Sequence, residues 1–381
     1  MIKLNNKICI FSSSRADYGL LRPVIKKIND DKKLNLKLLI SGTHLKKNFG
    51  NTILEIKKDK FKYNEINFPN SLLKTNILKT NYLKKINEYF EKTKPKILVV
   101  LGDRIETFLI VTAAYINHIP VAHISGGELT IGSQDDSFRH AITKLSFFHF
   151  VSNKEYYKRV LQMGEEKKRI FITGNLAYEN IKKTNFLNKS QLEKYFKIKL
   201  SKKIIIITFH PMTNYKTYNA TDFDNLLKAI SKFKDIQFIF TSPNIDKGSE
   251  IIIKKINKFI SLNQKNSIYI KSLGQKNFFS LLKISLGIIG NSSSGVIEAP
   301  LLNKPSINIG LRQKGRIVYS SVMNVKDSTK EISASIIKII KMNGSLKAKI
   351  RHNDVFPSNI IIKNLKKLLI YNSYVKQFHD L

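Results

Sequence analysis

Apolar positions along the chain gather into short β-branched runs that alternate with longer segments of helical period. Ile8–Phe11, Leu34–Ile40, Lys62–Phe68, Ile97–Leu101, Val121–Ile124 and Phe171–Thr173 read as strands bounded by turn-forming residues. Between several of them, Tyr18–Asn29, Asn76–Lys92, Arg104–Asn117, Asp136–Leu145 and Lys154–Met163 read as helices. Such alternation predicts an α/β domain around a parallel sheet, because parallel neighbours need a crossover, usually a helix, between them.

A polar, lysine-rich stretch at Ala177–Lys203 separates this from a second run of the same rhythm. Ile204–Phe209, Gln237–Thr241, Ile268–Ser272, Gly287–Gly290 and Ser306–Ile309 read as strands, with helices at Asp222–Lys234, Ser249–Leu262, Gln275–Ile284 and Ser294–Leu302. The pattern predicts two doubly wound, Rossmann-like domains, 1–176 and 177–381, with a cleft between them. The last helical segments, Ser333–Met342 and Asn359–Ile370, are lysine-rich and read as packing on the outside or back on the first domain. Ligands of such sheets bind beyond the carboxyl ends of the strands, so the strand-to-helix turns are where chemistry is sought.

Composition narrows the classes. Lys plus Arg number 66 against 28 Asp plus Glu, a net charge of +38 that raises the question of nucleic acid or an anionic membrane. Only nine of the positive residues are arginine, however, and lysine is the weaker choice for planar recognition of phosphate or base edges. The lysines are scattered as on a solvated face and read as compositional background, so neither nucleic acid nor a membrane is expected as partner. A single cysteine, Cys9, in an apolar run excludes a disulfide framework and a thiolate metal site and reads as a small core residue. The N-terminal apolar run is too short for a secretory signal, and the longest near-apolar run, Phe108–Ile116, is too short to span a bilayer. A soluble, cytoplasmic protein is the expectation.

The candidate chemistry lies at strand ends. After the first strand, Ser12–Gly19 offers amides at a helix start, with Arg15 as a guanidinium for an anion and Asp17 in the first turn; a merely capped helix explains it equally well. Gly102–Asp103–Arg104 ends one buried strand and Gly126–Gly127–Glu128 the next, which makes Asp103 and Glu128 a candidate acid/base pair. Asp135 and Asp136 follow, with Arg139 and His140 one turn on; one of the two aspartates reads as a helix cap. Residues 101–150 hold five acidic residues against three basic ones and half of the eight histidines, including His123 and His149. A window that escapes the lysine background points to acid/base chemistry, with a buried face that excludes lysine as the plainer part of the explanation.

In the second domain His210 ends the first strand, where a histidine can transfer a proton or bind a phosphate oxygen. Gly290–Asn291–Ser292–Ser293–Ser294–Gly295 leads into a helix containing Glu298, an arrangement suited to a diphosphate and a ribose, and Arg312 and Arg316 add positive charge. The Gly-Lys-Ser/Thr ending of a Walker loop and the dinucleotide G-x-G-x-x-G are both missing. NTP-driven phosphoryl transfer and NAD chemistry are therefore not expected.

Taken together, Ser14–Tyr18, Gly102–Arg104, Gly126–Glu128, Asp135–Lys144, His210–Pro211, Gly290–Gly295 and Arg312–Arg316 resemble the hydrolysing UDP-N-acetylglucosamine 2-epimerases of sialic- and legionaminic-acid synthesis, in order along most of the chain. The resemblance implies the GT-B fold, with nucleotide on the C-terminal domain, the sugar between domains, and no redox cofactor or metal. It implies conversion of UDP-N-acetylglucosamine and water to N-acetylmannosamine and UDP through a glycal. Asp103 and Glu128 then exchange the proton, Asp135 or Asp136 handles water or sugar hydroxyls, and His210 serves the leaving diphosphate. Arg15, Ser292, Ser293 and Arg316 hold phosphates and Glu298 the ribose, while Asp17, Arg104, Arg139, His140, Asn244, Ser294, Gly295 and Arg312 complete the binding set. Leu129–Gln134 and Asn67–Thr75 are implied to contact the sugar. Relatives that use GDP-N-acetylglucosamine or UDP-2,4-diacetamido-2,4,6-trideoxyglucose share these strings. A non-hydrolysing epimerase, a GT-B glycosyltransferase and an RNA- or membrane-binding protein are the competing readings. A homo-oligomer, dimer or tetramer, is expected by family analogy.

Overall fold

The computed structural model describes residues 5–46, 52–68, 76–131, 133–211, 221–243, 248–344, 355–371 and 374–380. The chain divides into two units, one made of residues 1–128, 135–180 and 352–381, the other of residues 129–134 and 181–351. Among the described residues the first unit carries a parallel sheet of seven strands: β1 (Lys7–Ser12), β2 (Asn35–Ile40), β3 (Tyr63–Glu65), β4 (Ile97–Leu101), β5 (Val121–Ile124), β6 (Phe148–Val151) and β7 (Ile170–Ile172). Their spatial order is β3-β2-β1-β4-β5-β6-β7. The second unit has six parallel strands: β8 (Ile204–Thr208), β9 (Gln237–Thr241), β10 (Ser267–Ile270), β11 (Gly287–Gly290), β12 (Ser306–Ile309) and β13 (Val322–Val325), ordered β10-β9-β8-β11-β12-β13.

Both sheets are doubly wound. The winding reverses between β1 and β4, in register Ile8↔Ile97, and between β8 and β11, in register Ile205↔Gly287. Successive helices leave in opposite directions at these points, so the carboxyl ends of the flanking strands are left uncovered by a crossover. Strands covered on both faces tend to near-continuous apolar runs, which is why β8 opens with four successive isoleucines, each no more than 1% exposed. Burial of each is worth about 1.5–3 kcal/mol.

The elements depart from the expected pattern in several places. β6 and β13 fall outside the expected strands; each is four residues long and carries a polar residue, His149 in one and Asn324 in the other. The lysine-rich stretch after residue 176 contains two helices, Leu176–Lys182 and Lys189–Phe196; Leu192 and Leu200 enter the second unit's core while the lysines face outward. The single helix expected over Ser294–Leu302 is two short ones, Ser293–Val296 and Glu298–Leu301, since Pro300 has no N–H for the carbonyl four residues back. Of the two placements expected for the closing helix, Pro357–Leu369, the structure has the one on the first unit: Ile361, Leu365 and Leu368 lie in that unit's core, with Lys363, Lys366 and Lys367 on the opposite face.

Candidate active site

In the first unit β1 ends at Ser12 and runs into the helix Arg15–Asp30. The Asp17 carboxylate accepts hydrogen bonds from the amides of Ser13 (2.8 Å), Ser14 (2.7 Å) and Tyr18 (3.1 Å), and the Ser14 hydroxyl accepts from the Asp17 amide. This reciprocal cap commits Asp17 to holding the turn. Arg15, half-buried at the head of the helix, acts electrostatically on Glu55.

The next strand end places Asp103 after Gly102, and Arg104 becomes the N-cap residue of the helix Ile105–Ile116. Both ends of the Arg104 guanidinium lie 3.3 Å from the carboxylate of the buried Glu106. At the end of β5, Gly127 has φ +76°, and a Cβ there would fall 2.6 Å from the Tyr156 carbonyl. Only glycine lets the chain turn this close to the neighbouring helix and deliver Glu128, itself 6% exposed.

The helix Asp135–Leu145 supplies the other half of this cluster. Asp135 and Asp136 occupy its first turn, and Arg139 follows on its buried side. Arg139 pairs with Asp103, donates to the Glu128 main-chain carbonyl at 2.9 Å and reaches Asp136 at 3.2 Å. Burial works against its charge, but the carboxylates of Asp103, Glu128, Asp136 and Asp135 outweigh it and raise its pKa. His140 Nε2 lies 3.5 Å from the same Asp136; burial still lowers its pKa. The first unit therefore draws Asp103, Glu128, Asp136, Arg139 and His140 into one electrostatically connected group. It has the carboxylates for proton transfer and a cation to hold them in place.

The second unit builds its group where β8 and β11 end side by side. At Gly290, φ is +145° and a Cβ would lie 1.8 Å from the Thr208 carbonyl, so glycine is required for the two strand ends to meet. Asn291 then links the turns: its Oδ1 accepts from the His210 amide at 2.7 Å and its Nδ2 donates to the His210 carbonyl at 2.8 Å. The Asn291 carbonyl in turn accepts from Arg312 at 3.2 Å and from Gln313 at 2.9 Å. Burial, with the Arg312 charge beside it, pushes the His210 imidazole well below the usual histidine range. His210 is thus neutral near pH 7 and offers a hydrogen bond rather than a charge.

Ser292 caps the short helix Ser293–Val296 by accepting from the Ser294 amide at 3.3 Å, and Gly295 and Glu298 follow in the same connection. Arg316 lies three residues beyond Gln313, and its amide bonds the Gln313 carbonyl. Residues 129–134 belong to this unit, with the Ile131 amide on the Lys314 carbonyl at 3.4 Å. Asn244 and residues 69–75 of the implied sugar-contact segment lie outside the described residues.

Sequence reasoning passed over Asn291 and Gln313 as individual residues, although both stand within the quoted strings. Their importance lies in main-chain contacts that sequence spacing does not encode. Among the described residues there is no group of three or more His, Cys, Asp or Glu arranged to hold a metal ion, and no helix long and apolar enough to cross a membrane.

The profile of the family described as UDP-N-acetylglucosamine 2-epimerase matches residues 26–359. The chain is 38% identical over 384 aligned residues to the GDP/UDP-N,N'-diacetylbacillosamine 2-epimerase (hydrolyzing) of Campylobacter jejuni, covering 98% of this chain and 99% of that protein. It is 39% identical to the polysialic acid biosynthesis protein P7 of Escherichia coli, over 84% of this chain and 82% of that one. Among solved structures, the UDP-GlcNAc 2-epimerase from Neisseria meningitidis bound to UDP-GlcNAc superposes with a TM-score of 0.78 at 21% identity, covering 95% of this chain and all of that one. The fold is accordingly of the GT-B type, and the chain belongs to the UDP-N-acetylglucosamine 2-epimerase family. Within that family it is an enzyme of the hydrolysing 2-epimerase kind.

Proposed function

We propose that this enzyme converts UDP-N-acetylglucosamine and water to N-acetylmannosamine and UDP, for the synthesis of a sialic-acid-like sugar. The carrying observation is the cluster around Arg139, in which Asp103 and Asp136 share the guanidinium that also holds the Glu128 main chain. Epimerisation at a carbon with no neighbouring carbonyl is difficult by direct deprotonation. Departure of UDP with its bonding electron pair gives C1 cationic character, which acidifies the C2–H bond. One carboxylate of the Asp103/Glu128 pair takes that proton as the C1=C2 double bond of the glycal forms. Water then adds at C1, surrendering a proton to Asp135 or Asp136, while the other member of the pair protonates C2 from the opposite face. The sum consumes one water and releases free sugar and nucleotide.

In the second unit, neutral His210 donates a hydrogen bond to the leaving diphosphate, and Ser292, Ser293 and Arg316 take its oxygens. Glu298 receives the ribose hydroxyls. Arg15 of the first unit adds a further phosphate contact. Asp17, whose carboxylate is committed to the cap, acts by fixing the turn before Arg15.

The bacillosamine-type relative, similar over nearly the whole of both chains, favours a second reading in which the same chemistry acts on UDP- or GDP-linked N,N'-diacetylbacillosamine. Incubation with UDP-N-acetylglucosamine, GDP-N-acetylglucosamine and the UDP-linked diacetamido sugar in deuterated water tests both. The preferred substrate releases nucleotide and an epimeric sugar bearing deuterium at C2. Product without C2 deuterium would refute the elimination route, and release from the diacetamido substrate alone would replace the first reading with the second.

A further inference from the structure

The three segments that carry the carboxylate cluster come from the ends of two strands and from one helix. Beneath them lies a fully buried histidine that the proposed chemistry does not use. His123, on β5, places Nε2 2.8 Å from the Gly102 carbonyl, immediately before Asp103. Its Nδ1 lies 3.2 Å from Thr143 Oγ1, on the helix that carries Arg139, Asp136 and His140. The Thr143 hydroxyl also donates to the Arg139 carbonyl at 3.0 Å. A Cβ at Gly126 would lie 3.0 Å from Thr143 Oγ1 and 3.1 Å from His123 Nδ1, so Gly126, the first of the glycine pair before Glu128, packs directly on the same ring.

The chemistry of these partners fixes the state of the ring. A carbonyl only accepts, so Nε2 carries the proton. Nδ1 then presents a lone pair to the Thr143 hydroxyl, whose single proton is shared with the Arg139 carbonyl. Burial holds the imidazole neutral, with its pKa pushed down to about 3. A neutral histidine with both nitrogens engaged is a fixed strut between elements rather than a proton carrier.

We propose that His123 is a positioning residue for the epimerase reaction, tying the Asp103 turn, the glycine pair before Glu128 and the Arg139 helix into one rigid piece. The proposal rests on the assignment of Asp103 and Glu128 to proton transfer. It makes a directional claim about the ring, because glutamine can place an amide N–H near the position of Nε2, whereas asparagine reaches only the position of Nδ1. Loss of the Gly102 contact frees the turn that orients Asp103, and a displacement of about 1 Å can cost on the order of 10²-fold in rate.

The test compares H123Q, H123N and H123L in nucleotide release from whichever of the three nucleotide sugars the wild type turns over. H123N and H123L should lose at least about tenfold in kcat with KM changed less than about threefold, and H123Q should lose no more than about threefold. Far-UV circular dichroism and urea unfolding are run on each variant. If H123L does not fold, the contrast between Gln and Asn still decides. Nitrogen-15 NMR of histidine-labelled wild type gives an independent readout, with His123 expected as the Nε2–H tautomer from pH 5 to 8. Equal kcat in all variants, equal losses in Gln and Asn, a loss confined to KM, or an Nδ1–H tautomer would overturn the inference. A wild type inert on all three sugars would instead overturn the substrate reading, while the NMR result would still test the strut.

Discussion

Arg139, 2% exposed at its side chain, holds Asp103 from a different element and at the same time bonds the main-chain carbonyl of Glu128. One guanidinium thereby ties the Asp103 carboxylate to the main chain that carries Glu128, the two residues proposed to exchange a proton with the sugar. A lysine in its place keeps the charge but donates from a single nitrogen, and so cannot occupy the two positions from which Nη1 holds Asp136 and the Glu128 carbonyl and Nη2 holds Asp103. Arg139→Lys should lower kcat by roughly 10²-fold with a smaller change in KM, measured by steady-state nucleotide release. Arg139→Met should also lower stability by about 3 kcal/mol in urea unfolding, because it leaves carboxylates without their cation. Wild-type turnover in Arg139→Lys would show that charge alone suffices.

Asp103→Asn removes a titratable oxygen but preserves size and most hydrogen-bonding geometry. Turnover should fall by about 10²–10⁴-fold, the usual worth of general acid/base catalysis. UDP affinity, read by isothermal titration calorimetry, should change little, because the nucleotide contacts are assigned to the second unit and to Arg15, not to Asp103. An active Asp103→Asn enzyme would remove this residue from the mechanism.

The buried histidines give the protein a predictable acid sensitivity. The pKa values of His123 and His210 are lowered in the folded state, to about 3 for the former and well below the ordinary value for the latter. Once the pH drops below about 6.5 the unfolded chain binds protons that the native state refuses, so stability falls with falling pH. Each such histidine contributes a loss that steepens as pH falls below the unfolded value, continuing for His123 to its folded value. Glu165, held at about 2, adds its own loss only below the ordinary carboxylate range. The urea midpoint should therefore drop between pH 7.5 and 5.5, and the slope should be shallower in His210→Gln. A flat profile in the wild type would show that these rings protonate in the folded protein.

A second buried group involves the C-terminal segment. The fully buried Glu165 accepts from His149 at 2.9 Å, Lys144 at 2.8 Å and Lys376 at 2.9 Å. Burial opposes its charge, yet these partners keep it ionised. Lys376 also donates to the Lys144 and Ser146 carbonyls, where the helix bearing Arg139 ends. Lys376→Met should cost about 2 kcal/mol in urea unfolding, less than a buried carboxylate left with no cation, because Lys144 remains. An unchanged midpoint would show that the tail contributes no net stability.

Alternating β-branched runs and amphipathic segments suffice to establish the α/β class and most of the strands, because a sheet covered on both faces leaves few polar positions in its strands. The Asp103, Glu128 and His210 strand ends are legible for a related reason: each is a titratable residue set within a few positions of the end of an apolar run. The contrast between a lysine-rich chain and its acidic, histidine-rich window at residues 101–150 has two causes. Asp103, Glu128 and Asp136 belong to the candidate site, whereas His123 and His149 are buried within strands.

Tertiary structure alone decided which groups meet. Arg139 and Asp103 are 36 residues apart and Asn291 and His210 are 81 apart, and only strand order brings them together. It also decided that Asp17 is spent on a cap, that Pro300 divides a helix, and that the lysine-rich closing helix contributes Ile361 and Leu365 to the first core. Sequence periodicity reports whether a residue faces the interior, a property of its own segment. Hydrogen bonds and ion pairs depend on the distance between segments, which only the packed sheet order sets.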